Sequence, residues 1–199
     1  MSNGYSKDLV ILVADNDIRA TMEELVGTRY SDMGIRRVNF DILPGTFRDP
    51  DCRTRAHDIL REHCRDNNHA LVVFDLKGSG GKGRSKTEKF VERKLAPNGW
   101  PDGRAAAVVI NPELEALAWC NPNNLHVRRI LGVQPQAVFA KLAASAGKNP
   151  KNAFQMACRQ AGKRRSPERY RELAKQLPVQ NCQDPAFQKL MTTLQRWFP

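Results

Sequence analysis

Residues Leu9-Val-Ile-Leu-Val-Ala14 form an unbroken apolar run, short and rich in β-branched side chains. Such a run has no polar face to offer water, so it reads as a strand covered on both sides. Ala70-Leu-Val-Val-Phe-Asp75 and Arg104-Ala-Ala-Ala-Val-Val-Ile-Asn111 read the same way. Ile35, Val38, Phe40 and Ile42 alternate through another strand, second in chain order, Ile35 to Leu43, that ends at Pro44-Gly45.

Helices are expected between the strands. Asp15 or Asn16 suits the N-cap of a helix whose apolar face is Ile18, Met22, Leu25 and Val26, with Gly27 as terminator. Ala56, Ile59, Leu60 and Cys64 mark a second helix, and Lys86 to Leu95 a third. Strands alternating with helices at this spacing imply βαβ units and an α/β fold with a small, mostly parallel four-stranded sheet and flanking helices.

No strand-like run follows Asn111. Pro112 to Cys120 is expected to be helical with proline in the first turn, and further helices are expected over 124–131, 135–146, 150–161, 166–176 and 184–197. Residues 1–120 are therefore read as an α/β core, and 121–199 as a basic helical C-terminal region packed on it.

The net charge of +11 is concentrated in two blocks. Lys77 to Arg104 holds eight basic and three acidic residues, a net of +5, and Gly147 to the end holds eleven and three, a net of +8. The rest of the chain is slightly acidic. Charge gathered this way steers a polyanion better than charge spread evenly, so non-specific DNA or RNA binding is expected, with an acidic protein partner as the other candidate. The residues expected at a nucleic-acid interface are Lys77, Lys82, Arg84, Lys86, Lys163, Arg164 and Arg165.

The five cysteines are odd in number, widely spaced and without a CxxC pair, which fits reduced thiols. No stretch approaches the ~20 apolar residues needed to span a bilayer. A cytoplasmic location, with no membrane partner, is expected.

Ligands of open α/β sheets bind beyond the carboxyl ends of the strands. Asp15 follows the first strand, Asp75 ends the third, and Glu113 and Glu115 follow the fourth. Carboxylates from neighbouring strand ends can hold Mg²⁺, so Asp15, Asp75 and Glu115 are the candidate metal ligands and catalytic groups. Each also has an ordinary structural use: Asp15 as a helix cap, Asp75 in a turn, Glu113 facing a helix N-terminus. Glu115 lies among apolar neighbours and needs a partner if buried.

Lys77-Gly-Ser-Gly-Gly-Lys-Gly-Arg84 lacks the Gly-Lys-Ser/Thr of a nucleotide-binding loop. It reads as a mobile basic loop that touches phosphate backbones, or as a flexible connection. His57, His63, His69 and His126 show no metal-binding spacing. Trp119, Trp197 and Phe198 are candidates for base stacking or for the core.

The order of acids on a four-stranded core resembles the TOPRIM fold of topoisomerases, primases and overcoming-lysogenization-type nucleases. Pro112-Glu-Leu-Glu-Ala-Leu-Ala-Trp119 is similar to a stretch of a TOPRIM-like family of small bacterial proteins. Lys7–Asp15, His69–Asp75 and Asp184–Pro199 resemble a bacterial family belonging to the methylation-associated defense system, a multi-gene antiphage locus. The resemblance implies Mg²⁺ as the ion and other defence-system subunits as partners; beyond that no cofactor is indicated. The sequence departs from the nuclease pattern at Asp75-Leu76-Lys77, where a lysine replaces the second carboxylate. Beside Asp75, that lysine is expected to neutralise it instead of recruiting metal.

Three readings follow. The first is a non-catalytic subunit of an antiphage complex that binds nucleic acid or partner subunits. The second is a Mg²⁺-dependent nuclease using Asp15 and Asp75 as ligands and Glu115 as third ligand or base. The third is an assembly protein whose basic surface meets acidic protein alone.

Overall fold

A computed structural model describes residues 4–43, 47–121, 125–132 and 136–199, the side chain of Gln136 aside. The expected turn at Pro44-Gly45 and the first expected residues of two helices, 124 and 135, lie outside the described residues.

Four parallel strands form one sheet in the order β2-β1-β3-β4: β1 Lys7–Val13, β2 Phe40–Ile42, β3 Asn67–Asp75 and β4 Ala105–Ile110. The α/β class read from the sequence is thus the observed one. Leu9 to Val13 of central β1 are fully buried, as an apolar run covered on both faces requires. The second strand is much shorter than the expected Ile35 to Leu43. Ile35 and Arg36 give their amides to Tyr30 and Phe198 carbonyls, at 3.1 and 3.0 Å, so only Phe40–Ile42 reaches β1.

Helix α1 (Asn16–Gly27) starts on Asp15, whose side chain accepts the Ile18 amide at 2.8 Å. The helix expected on Ala56, Ile59, Leu60 and Cys64 is α3 (Ala56–Arg61), which ends before Cys64, and an unexpected short helix, α2 (Asp49–Thr54), precedes it. Arg55, at φ −120° and ψ 2°, breaks the helical path between them. Helix α4 (Arg84–Leu95) leads through a 3₁₀ turn to β4.

Leu114–Trp119 is a 3₁₀ segment, not the expected α-helix, and Pro112 lies before it. The Pro112 carbonyl is taken by the Lys77 amide at 3.0 Å, and the segment opens on a three-residue bond from Ala116 to Glu113. Then come α5 (Leu125–Leu131), α6 (Gln136–Ala146), α7 (Pro150–Gln160), α8 (Pro167–Gln176) and α9 (Pro185–Trp197). The C-terminal helices do not hold a core of their own. α8 packs on α1, α9 packs on β4, and one apolar cluster runs from Leu9 to Phe198. Among the described residues no helix is long and apolar enough to cross a membrane.

Candidate functional site

The carboxyl ends of β1, β3 and β4 bring the expected acids to one end of the sheet. Asp75 closes β3 and is 8% exposed. Its amide donates to Asp49 Oδ1 at 2.9 Å, while its own Oδ1 has no hydrogen-bond partner. Burial, then the charges of Asp49, Glu115, Asp15 and Glu113, push the Asp75 carboxyl well above the usual aspartate range. Burial also raises Asp49. Asp49, at the start of α2, was not singled out in the sequence; its signal was the Arg48-Asp-Pro-Asp51 stretch.

The other acids are engaged. Asp15 caps α1. Glu113, 5% exposed, accepts from Lys77 Nζ at 3.2 Å and Lys151 Nζ at 3.0 Å. Burial alone would raise Glu113, but the two lysines outweigh it and hold the carboxyl low. Glu115, 1% exposed, accepts from the Tyr170 hydroxyl at 2.7 Å, and its carboxylate lies 3.4 Å from Arg165 Nε. Arg165 also reaches Asp17 at 2.7 Å. Apart from Lys77, which follows β3, these partners come from α7, α8 and the turn between them, so the C-terminal region completes this end of the core.

Lys77 does not neutralise Asp75, contrary to expectation. The chain leaves the strand at Asp75, the Lys77 amide bonds to Pro112, and the side chain is carried to Glu113. Burial and acidic neighbours favour the neutral form of Asp75 instead. The residues present do not fit a three-carboxylate Mg²⁺ site: among the described residues no group of three His, Cys, Asp or Glu side chains is gathered to hold a metal ion.

The glycine loop is built inward. Ser79 is buried; its hydroxyl donates to Leu76 O at 2.7 Å and accepts the Gly81 amide at 3.1 Å. Arg53 donates to Ser79 O at 3.2 Å. Two loop amides, Ser79 and Gly81, are thus used within the protein and not offered to a phosphate.

The basic residues singled out in the sequence divide in two. Lys77 pairs with Glu113, Arg84 with Glu88, and Arg165 with Asp17 and Glu115, while Lys163 donates to the Ile130 carbonyl. Lys82, Lys86 and Arg164 are exposed and form no ion pair among the described residues. Of the aromatics, Phe198 is fully buried, Trp119 donates to Pro150 O at 3.2 Å, and Trp197 donates to Gly103 O at 2.7 Å.

A groove of about 1110 Å³ lies elsewhere, between α4 and α9. Lys86, Lys89 and Arg93 line it from α4, and Lys189 and Arg196 from α9. Its floor includes Ala105 and Ala106 of β4. Lys89, Arg93 and Arg196 were counted in the charged blocks but not read as one surface. The available signal was the spacing of three and four residues that puts Lys86, Lys89 and Arg93 on one helix face.

No family model matches this chain, and comparisons with curated proteins and with solved structures found no match.

Proposed function

We propose that this protein is a non-catalytic subunit of a bacterial antiphage defence complex, holding nucleic acid or partner subunits on its basic side. One observation carries the nucleic-acid part: the uneven use of charge. At the strand ends, cations are consumed by internal carboxylates. Around the groove, Lys86, Lys89, Arg93 and Arg196 form no ion pair among the described residues. Unpaired cations are the ones that can neutralise phosphates and release counterions. The defence-system assignment rests on the sequence resemblance.

The test is a titration of labelled oligonucleotides at about 50 and about 200 mM salt, with the protein freed of co-purifying nucleic acid. Affinity should fall steeply with salt, without sequence preference and without cleavage when Mg²⁺ is added. Absence of binding at the lower salt would overturn the nucleic-acid part.

A nuclease is the second reading, favoured by one observation, the unpartnered buried Oδ1 of Asp75. Cleavage that requires Mg²⁺ or Mn²⁺ and disappears in Asp75→Asn would establish it over the first.

A further inference from the structure

Resting on that nucleic-acid reading, we infer that the α4–α9 groove is the seat of a single nucleic-acid strand, bound through its phosphodiester backbone. Lys86 and Arg93 are seven residues apart, about 10 Å along the helix. That separation lets the two cations meet different phosphates of one strand. Arg196 faces the same space from α9, and exposed Thr192 and Gln188 add hydrogen-bonding side chains between the cations. Glu92 and Asp102 also line the groove, which leaves five basic and two acidic residues around it.

A peptide fits this groove less well. An extended peptide would bind by adding to the free edge of β4. That edge is closed: the Ala107 amide donates to Glu92 Oε1 at 3.1 Å and the Val109 amide to Glu88 Oε1 at 3.2 Å. Lys189 lies over both carboxylates, at 2.8 Å from Glu92 and 3.3 Å from Glu88. Trp100, which lines the groove, is buried and offers no exposed ring to anchor a peptide side chain. A phosphate backbone needs neither feature. A recess between two helices lets one backbone meet cations from both sides.

The test compares Lys89→Glu/Arg93→Glu with Lys141→Glu/Lys175→Glu, two exposed pairs that change net charge equally. Each is titrated with a labelled single strand, the matching duplex and a poly-glutamate peptide, after circular dichroism confirms folding. The groove variant should lose at least tenfold in single-strand affinity, and its salt slope should flatten by about 1.4, or ~0.7 per lost phosphate contact. The control should change by less than threefold. Equal losses in both variants would overturn the groove while leaving the nucleic-acid reading intact. Preference for duplex, or for poly-glutamate, would overturn the single strand as occupant. No nucleic-acid binding by the unmodified protein would defeat both readings together.

Discussion

Glu88, on α4, accepts the backbone amide of Val109 in the edge strand β4 at 3.2 Å. Glu92, one turn later, accepts Ala107 in the same way at 3.1 Å. A helix spacing of four thereby matches a strand spacing of two, and the edge offers fewer donors to another chain. Glu88→Ala should leave the Val109 amide unpaired and should cost about 1–3 kcal/mol. Glu88→Gln keeps an acceptor and should cost less. Urea midpoints for the two variants check this, and equal losses would show that ion pairing with Arg84 and Lys189 dominates.

Asp75 gives stability a pH dependence of definite sign. Its folded pKa is raised well above 3.8. As pH rises from 3.8, the unfolded chain gives up this proton first, which favours unfolding. The associated stability is full below pH 3.8 and is lost as pH rises through the folded value. Asp75→Asn should therefore raise Tm near neutral pH, by roughly 2–4 °C for each kcal/mol recovered. It should also flatten the slope of Tm with pH on the alkaline side. A lower Tm with an unchanged slope would contradict the assignment.

His69 acts from the acid side. Burial, then the positive charge of Arg104, lowers its pKa to about 4, and its ring sits 4.5 Å from that of Trp197. The unfolded chain binds this proton near pH 6.5, so stability is present above 6.5 and is lost as pH falls toward 4. Because the ring is only partly buried, the loss should be roughly 2 kcal/mol, below what the full shift would give. The stability difference between wild type and His69→Gln, followed by denaturant unfolding from pH 7 to pH 4, should shrink by that amount. A constant difference across the range would remove His69 from the account.

Gly81 is required by space. A Cβ there would stand 2.3 Å from Thr87 Oγ1 and 3.2 Å from Leu76 Cδ1. Gly81→Ala should cost about 1–3 kcal/mol by overpacking. Adding Thr87→Ala removes the closest atoms and should make the double variant more stable than the two losses summed. Strict additivity in thermal unfolding would show that the loop relaxes instead.

The sequence determined much of the fold because its signals were local. Leu9–Ala14 and Ala70–Asp75 were legible as buried strands from length and β-branching alone, and Asp15 as a cap from its place before an amphipathic run. Elements that depend on distant partners were less legible. Ile35 and Val38 are buried as expected of a strand, yet the Ile35 and Arg36 amides bond outside the sheet. Pro112 to Cys120 has helical composition, but the Lys77 amide takes the Pro112 carbonyl and the segment tightens to 3₁₀ geometry.

The same division governs charge. The sequence by itself determined that positive charge lies in two blocks and that acids follow the strands. Only the tertiary structure decided which charges cancel. Lys77 meets Glu113, Arg165 meets Glu115 and Asp17, and Lys189 meets Glu88 and Glu92, all across long stretches of chain. Lys86, Lys89, Arg93 and Arg196 instead surround an open groove. The physical reason is that Coulomb attraction and desolvation depend on separation in space and on burial, neither of which is a property of sequence order.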